Sequence, residues 1–170
     1  QVENVDNSNF ASWPENADTG YYAGGHPISA FPSIASRIYK LDFSTSSLST
    51  NPIVSPVATY RACDINAPTC AYFTHGILNL SLVRKLDYTT DAESLPGNDS
   101  TYNLQTGTGT QSNYFGYICG GFSPGPVSPA SAISSISKMD YNGDVLTIPG
   151  ANLPEATQAM GNPGTTDQYS

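Results

Sequence analysis

Three stretches, "YKLDF", "RKLDY" and "SKMDY", contain every lysine of the chain. Lys40, Lys85 and Lys138 each stand two residues before an aspartate (Asp42, Asp87, Asp140) and three before an aromatic. Upstream lie three more matched runs, "TGYYAGG", "CAYFTHG" and "FGYICGG". They align Tyr21 with Tyr72 and Tyr117, and they place Gly24, Gly25, Gly76, Gly120 and Gly121 at equivalent strand ends. Self-similarity at a spacing of roughly 50 residues restricts the fold severely: each unit is one supersecondary element that buries its apolar face against its neighbours. The units run over 19–70, 71–113 and 114–170, behind an N-terminal lead, 1–18, that would close or link the array.

Each unit has the same grammar. An aromatic strand ends in glycine, a variable loop follows, and a second strand carries the lysine motif into a turn and a third strand. "DYNGDV" predicts a hairpin at Asn142-Gly143, both residues being tolerant of positive φ. On a strand, residues two apart share a face. Lys40 and Asp42 are thus expected side by side, with Leu41 and Phe43 opposite, and likewise in the other units. A strand-end aspartate can also accept the N–H groups of the turn that follows. A triplicated catalytic site would need three identical centres with nothing else attached, so the lysines read as architecture and the chain as no enzyme.

Composition agrees with an all-β chain. Hydrophobic residues are 38%, but the 15 glycines bring the chain to the usual apolar share, and only 12% of residues are charged. Tyrosine, threonine, serine, glycine and proline favour strands and turns. The net charge of −8 offers no basic stripe to nucleic acid. No apolar run reaches the roughly 20 residues of a membrane-spanning helix. A chain beginning at Gln1 reads as processed or as an excerpt of a longer product.

Few residues suggest chemistry. Cys63 and Cys70 bracket "CDINAPTC", close enough in sequence for a local disulfide, or else are small loop residues; Cys119 reads as a buried hydrophobe. His26 and His75 have no suitably spaced carboxylates, so neither a metal nor another cofactor is expected. Asp140, Asn142 and Asp144 imitate the start of a calcium loop, which a hairpin turn explains more simply. Phe31 and Phe122, in the variable loops, and Trp13, in the lead, are candidates for recognition or interface contacts.

The glycine-ended strands, the three K-[LM]-D-[FY] stretches and "LPEATQAM" (Leu153 to Met160) together resemble the kelch-like propeller repeat. The wording is closer to tandem repeats in structural proteins of tailed phages, cyanophages among them; "SNYFGYICGGFSPGP" with "ISSISKMDYNGDV" carries that likeness. His75 stands where a glycine is expected and Thr157 where an arginine is. The resemblance implies β-propeller-type blades, three here, forming part of a larger or oligomeric assembly, since closed propellers have 4–8. It further implies a structural or adhesive virion component, such as a tail fibre, appendage or decoration, extracellular and bound to itself or to other virion proteins. A glycan-binding propeller that recognises host surfaces is the first alternative. A kelch-type oxidoreductase is the second, and the Tyr/Cys/His metal cluster it needs is not evident.

Overall fold

The computed structural model describes residues 19–23, 37–49, 53–54, 63–74, 81–97, 107–123 and 131–157. Trp13, Gly24, Gly25, Phe31, Gly76 and both histidines lie outside them. Among the described residues the elements are all strands and the pairings all antiparallel, as the composition and turn signals predict.

Three sheets form in chain order. The first comprises β1 (Thr19–Ala23), β2 (Arg37–Asp42) and β3 (Ser47–Leu48), with β4 (Ile53–Val54) returning to the start of β2. A four-strand meander follows: β5 (Cys63–Asn66), β6 (Cys70–Thr74), β7 (Val83–Asp87) and β8 (Ala92–Ser94). The third sheet contains β9 (Thr108–Gln111), β10 (Phe115–Cys119), β11 (Phe122–Ser123), β12 (Ser131–Asp140), β13 (Val145–Thr147) and β14 (Asn152–Thr157). Here β9, β10, the C-terminal half of β12 and β13 repeat the meander, while β11 and β14 pair with the N-terminal half of β12.

Sheets and sequence units are offset. β5 falls within 19–70 and β9 within 71–113, yet each is the first strand of the following sheet. Short loops, 67–69 and 112–114, join them to β6 and β10, and closing so short a loop into a hairpin costs little chain entropy.

One turn recurs at the end of each lysine strand. Asp42 Oδ1 accepts from Ser44 Oγ at 2.6 Å and from the Thr45 N–H at 3.0 Å. Asp87 Oδ1 accepts from the Thr89 and Thr90 N–H groups at 2.8 and 2.9 Å, and Asp140 Oδ1 from that of Asn142 at 2.9 Å. Such side-chain capping of a turn is what the strand-end aspartates predict. The residue four beyond each aspartate is left-handed: Ser46, Asp91 and Asp144 all have φ of 53°. Positive φ therefore falls on Asp144 rather than on Asn142 and Gly143, because the loop has four residues and needs one left-handed closing residue instead of a two-residue turn.

The sheets stack face to face. Tyr21 and Ile38 of the first bury against Ala71, Phe73 and Leu86 of the second, with Ile53 and Tyr88 alongside. On its other face the second sheet packs Ile65, Cys70, Tyr72 and Val83 against Ile118 and Met139 of the third. Every residue of β6 is consequently buried. The third sheet comes very close. A Cβ at Gly109 would stand 1.7 Å from the Asp64 carbonyl oxygen, and one at Gly116 would stand 2.1 Å from Ile65 Cγ2. At the end of β10, Gly120 and Gly121 take φ of 64° and 117°, which break the strand before β11 resumes pairing with β12.

The local disulfide is not formed. Cys63 and Cys70 are buried free thiols, and Cys119 is half-buried rather than fully enclosed. Register is the reason: Cys63 pairs with Thr74 at one end of the β5–β6 hairpin and Cys70 lies beyond the Asn66–Ala71 pair at the other. At about 3.4 Å per residue along a strand, the two sulfurs are far outside bonding range.

Candidate functional site

The same cluster of side chains bridges each pair of neighbouring sheets. Within every sheet a tyrosine on one strand sits directly opposite the motif lysine: Tyr21 with Lys40, Tyr72 with Lys85, Tyr117 with Lys138. Cross-strand neighbours share a face, so each pair presents a phenol and an ammonium together. The lysine Nζ lies 5.5 Å from the Tyr21 ring centre in the first pair and 5.6 Å from that of Tyr72 in the second, within cation–π range.

Both donors of a pair reach one carboxylate on the next sheet. The Tyr21 hydroxyl donates to Asp91 Oδ1 at 2.6 Å, and Lys40 Nζ to the two oxygens of Asp91 at 3.0 and 2.9 Å. The Tyr72 hydroxyl donates to Asp144 Oδ1, and Lys85 Nζ to the Asp144 oxygens at 2.8 and 3.1 Å. The turn aromatic beside each acceptor completes the arrangement. Tyr88 stacks on Tyr21 at 5.4 Å between ring centres, and Tyr141 on Tyr72 at 5.7 Å. Two of three motif lysines thus serve an aspartate of the adjacent sheet. The expected pairing with the aspartate two residues along the same strand does not form, because Asp42 and Asp87 are occupied by their own turns.

Charge follows this geometry. The Asp91 carboxylate holds the Lys40 ammonium above its ordinary range. For Lys85 burial is the largest influence and pulls the value down, but the hydrogen bond to Asp144 together with the charges of Cys70, Asp144 and Asp87 outweighs it, and the value again rises. Burial, reinforced by the carboxylate each hydroxyl faces, raises the phenols of Tyr21 and Tyr72. Asp42 is held low by the Ser44 hydroxyl and the Thr45 N–H, and Asp87 by the N–H groups of Thr90 and Thr89. A lysine with raised affinity for its proton is a poor nucleophile or base. The Cys63 thiol is likewise passive, pushed up to about 12 by burial.

The third pair stands differently. Tyr117 and Lys138 occupy the same register on the outer face of the third sheet, and no carboxylate reaches them among the described residues. Lys138 Nζ rests 3.5 Å from the Phe115 ring centre instead. At the other end of the stack the first sheet carries Ser46 where the next two carry Asp91 and Asp144, and its turn aromatic Phe43 is 40% exposed.

Three features escape the sequence reading. Neither Asp91 nor Asp144 carries a local signal of its role as acceptor, although aligning the turns on the lysine motif brings Ser46, Asp91 and Asp144 to one position. A buried ion pair, Arg84 with Glu93 at 3.2 Å, lies on the face of the second sheet that meets the first, and the Arg84 guanidinium covers the Phe73 ring at 5.3 Å. Asp64 is half-buried in β5, and desolvation of its carboxyl raises it to about 7. Of the proposed recognition aromatics only Phe122 is described; it is half-buried in β11. A shallow depression lined by Asn113, Tyr114, Phe115, Asp140, Tyr141 and Asn142 opens beside the third turn, with Tyr114 74% exposed.

No protein-family model matches the sequence, and comparison with curated proteins finds no relative.

Proposed function

We propose that the chain is a structural repeat module of an extracellular assembly, built of kelch-like, propeller-type blades and belonging to a virion component such as a tail fibre, appendage or decoration. One observation carries this reading: the phenol–ammonium pair that bridges to a carboxylate recurs at both sheet junctions with the same donors, register and direction. Its polar groups are consumed in joining one unit to the next, which suits a molecule that works by shape. Antiparallel sheets stacked through their faces, the second a four-strand meander and the third containing one, also suit propeller-type blades of four-stranded sheets. Mass spectrometry of purified particles from a culture encoding the chain is the test. Recovery of its peptides at a fixed ratio to other particle proteins is the expected result; recovery from the soluble lysate alone would overturn the assignment.

The depression beside Tyr114 favours a second reading, glycan recognition. Exposed aromatic rings stack on sugars, and Asn113, Asp140 and Asn142 supply polar partners around one. A glycan array probed with the full chain separates the two. Specific binding abolished by Tyr114→Ala would establish recognition; a blank array leaves the structural role.

A further inference from the structure

We propose that the outer face of the third sheet is a docking surface for a further repeat unit, one whose turn presents a carboxylate where the second and third sheets present Asp91 and Asp144. The inference rests on the repeat reading above and extends it to a specific recognition chemistry.

The two existing junctions define the rule. Donors come from the body of one sheet, Tyr21 with Lys40 or Tyr72 with Lys85, and the acceptor comes from the left-handed turn residue of the following sheet. Tyr117 and Lys138 repeat the donor half. They point away from the second sheet, since Ile118 and Met139, their neighbours along the strands, are buried against it. Phenol and ammonium are thereby set on one outward face in the register that twice binds aspartate. A carboxylate arriving there would gain a charge-assisted bond from Lys138 and a second bond from Tyr117. A turn aromatic at the position of Tyr88 and Tyr141 would stack on the Tyr117 ring.

A second copy of this chain does not supply that acceptor. Its first sheet has the right turn backbone, with Ser46 at φ 53°, and the right aromatic, Phe43, but a neutral hydroxyl replaces the carboxylate. Head-to-tail stacking of copies would leave the Lys138 charge desolvated against serine. The occupant is therefore a unit with aspartate at that turn position, and Ser46 biases the chain against stacking on itself.

The full chain can be turned into its own probe. Ser46→Asp creates the acceptor on the first sheet, and aspartate tolerates positive φ at least as well as serine. Adding Lys138→Met to the same chain removes its donor face, so the probe can only be received. Sedimentation velocity of wild type mixed with this double variant should show a 1:1 complex that weakens about tenfold or more in about 0.5 M salt. Replacing Ser46→Asp by Ser46→Asn in the probe, or placing Tyr117→Phe and Lys138→Met on the receiving chain, should abolish it. The proposal fails if the aspartate probe does not bind, if binding survives loss of Tyr117 and Lys138, or if wild type associates with itself as tightly as with the probe. This outcome is independent of where the chain is found. A chain missing from particles that still captures the probe would refute the virion role and leave the docking surface in place.

Discussion

At the scale of single residues, Asp144 must meet two demands at once. Its backbone is left-handed, which aspartate adopts more readily than most residues, and its carboxylate takes two donors from another sheet. Removing it strands the Tyr72 hydroxyl and the Lys85 ammonium together. Asp144→Ala should cost about 1–3 kcal/mol in urea unfolding. Asp91→Ala should cost less, toward the 0–1 kcal/mol of exposed pairs, because its side chain is 38% exposed against 26% for Asp144. Equal losses would show that solvent access does not set the strength of the bridge. Asp64 gives a separate signature in pH. Its carboxyl is raised to about 7 in the folded chain against about 4 when unfolded, so between these values the folded state holds a proton that the unfolded state releases. Stability contributed by this group is thus present below pH 4 and falls as pH rises toward 7. Asp64→Asn should flatten that slope in unfolding free energy measured across the interval; an unchanged slope would mean the carboxyl is ionised in the fold.

Individual strands and turns were legible to different degrees. The tyrosine and lysine strands could be placed because aromatic, apolar and charged residues alternate on them, and the capping aspartates announced their turns. β5 and β9 could not. "CDIN" alternates but over four residues only, and "TGTQ" has no apolar alternation at all; both are strands because a three-residue loop folds them back onto β6 and β10. The turn type differs from the local signal for a related reason: Asn142-Gly143 suits a two-residue turn, but the register of β12 with β13 leaves four residues to be closed. Glycines that matter for packing were equally hidden, since nothing local distinguishes Gly109 from Gly97. Their surroundings differ completely. A methyl at Gly109 meets a backbone carbonyl at 1.7 Å, which cannot rotate away, whereas one at Gly97 meets nothing within 4 Å and faces only the strain of φ +81°. Gly109→Ala should lower stability by about 3 kcal/mol or more through displacement of β9 from β5, and Gly97→Ala by about 1–2 kcal/mol. Thermal unfolding of both variants checks the order; similar losses would show that β9 can shift outward at little cost.

Across the whole molecule, the decisive contacts join residues far apart in sequence, and this is why the site was only half visible. The donors Tyr72 and Lys85 and the acceptor Asp144 belong to different units. A repeat alignment reveals that such positions are equivalent, but not which face of one sheet meets which turn of the next. That depends on stacking order, set by the burial of Phe73 and Leu86 on one side of the second sheet and Tyr72 and Val83 on the other. Stability of such a stack is the sum of each sheet's own stability and the coupling between neighbours. Three sheets unfold as one only while that coupling exceeds the differences between them. The second junction combines the Asp144 bridge, the Tyr72–Tyr141 stack and the close approach of Gly109 and Gly116. Lys85→Met with Asp144→Ala weakens its polar part and leaves the apolar core of every sheet intact. Wild type should give a single urea transition, and the double variant two, the first with a reduced m-value as the third sheet separates. Hydrogen exchange should then show β10 and β12 losing protection before β6 and β7. A single transition with an undiminished m-value would mean that the apolar contacts alone couple the sheets, and that the repeated bridge selects which faces meet without holding them together.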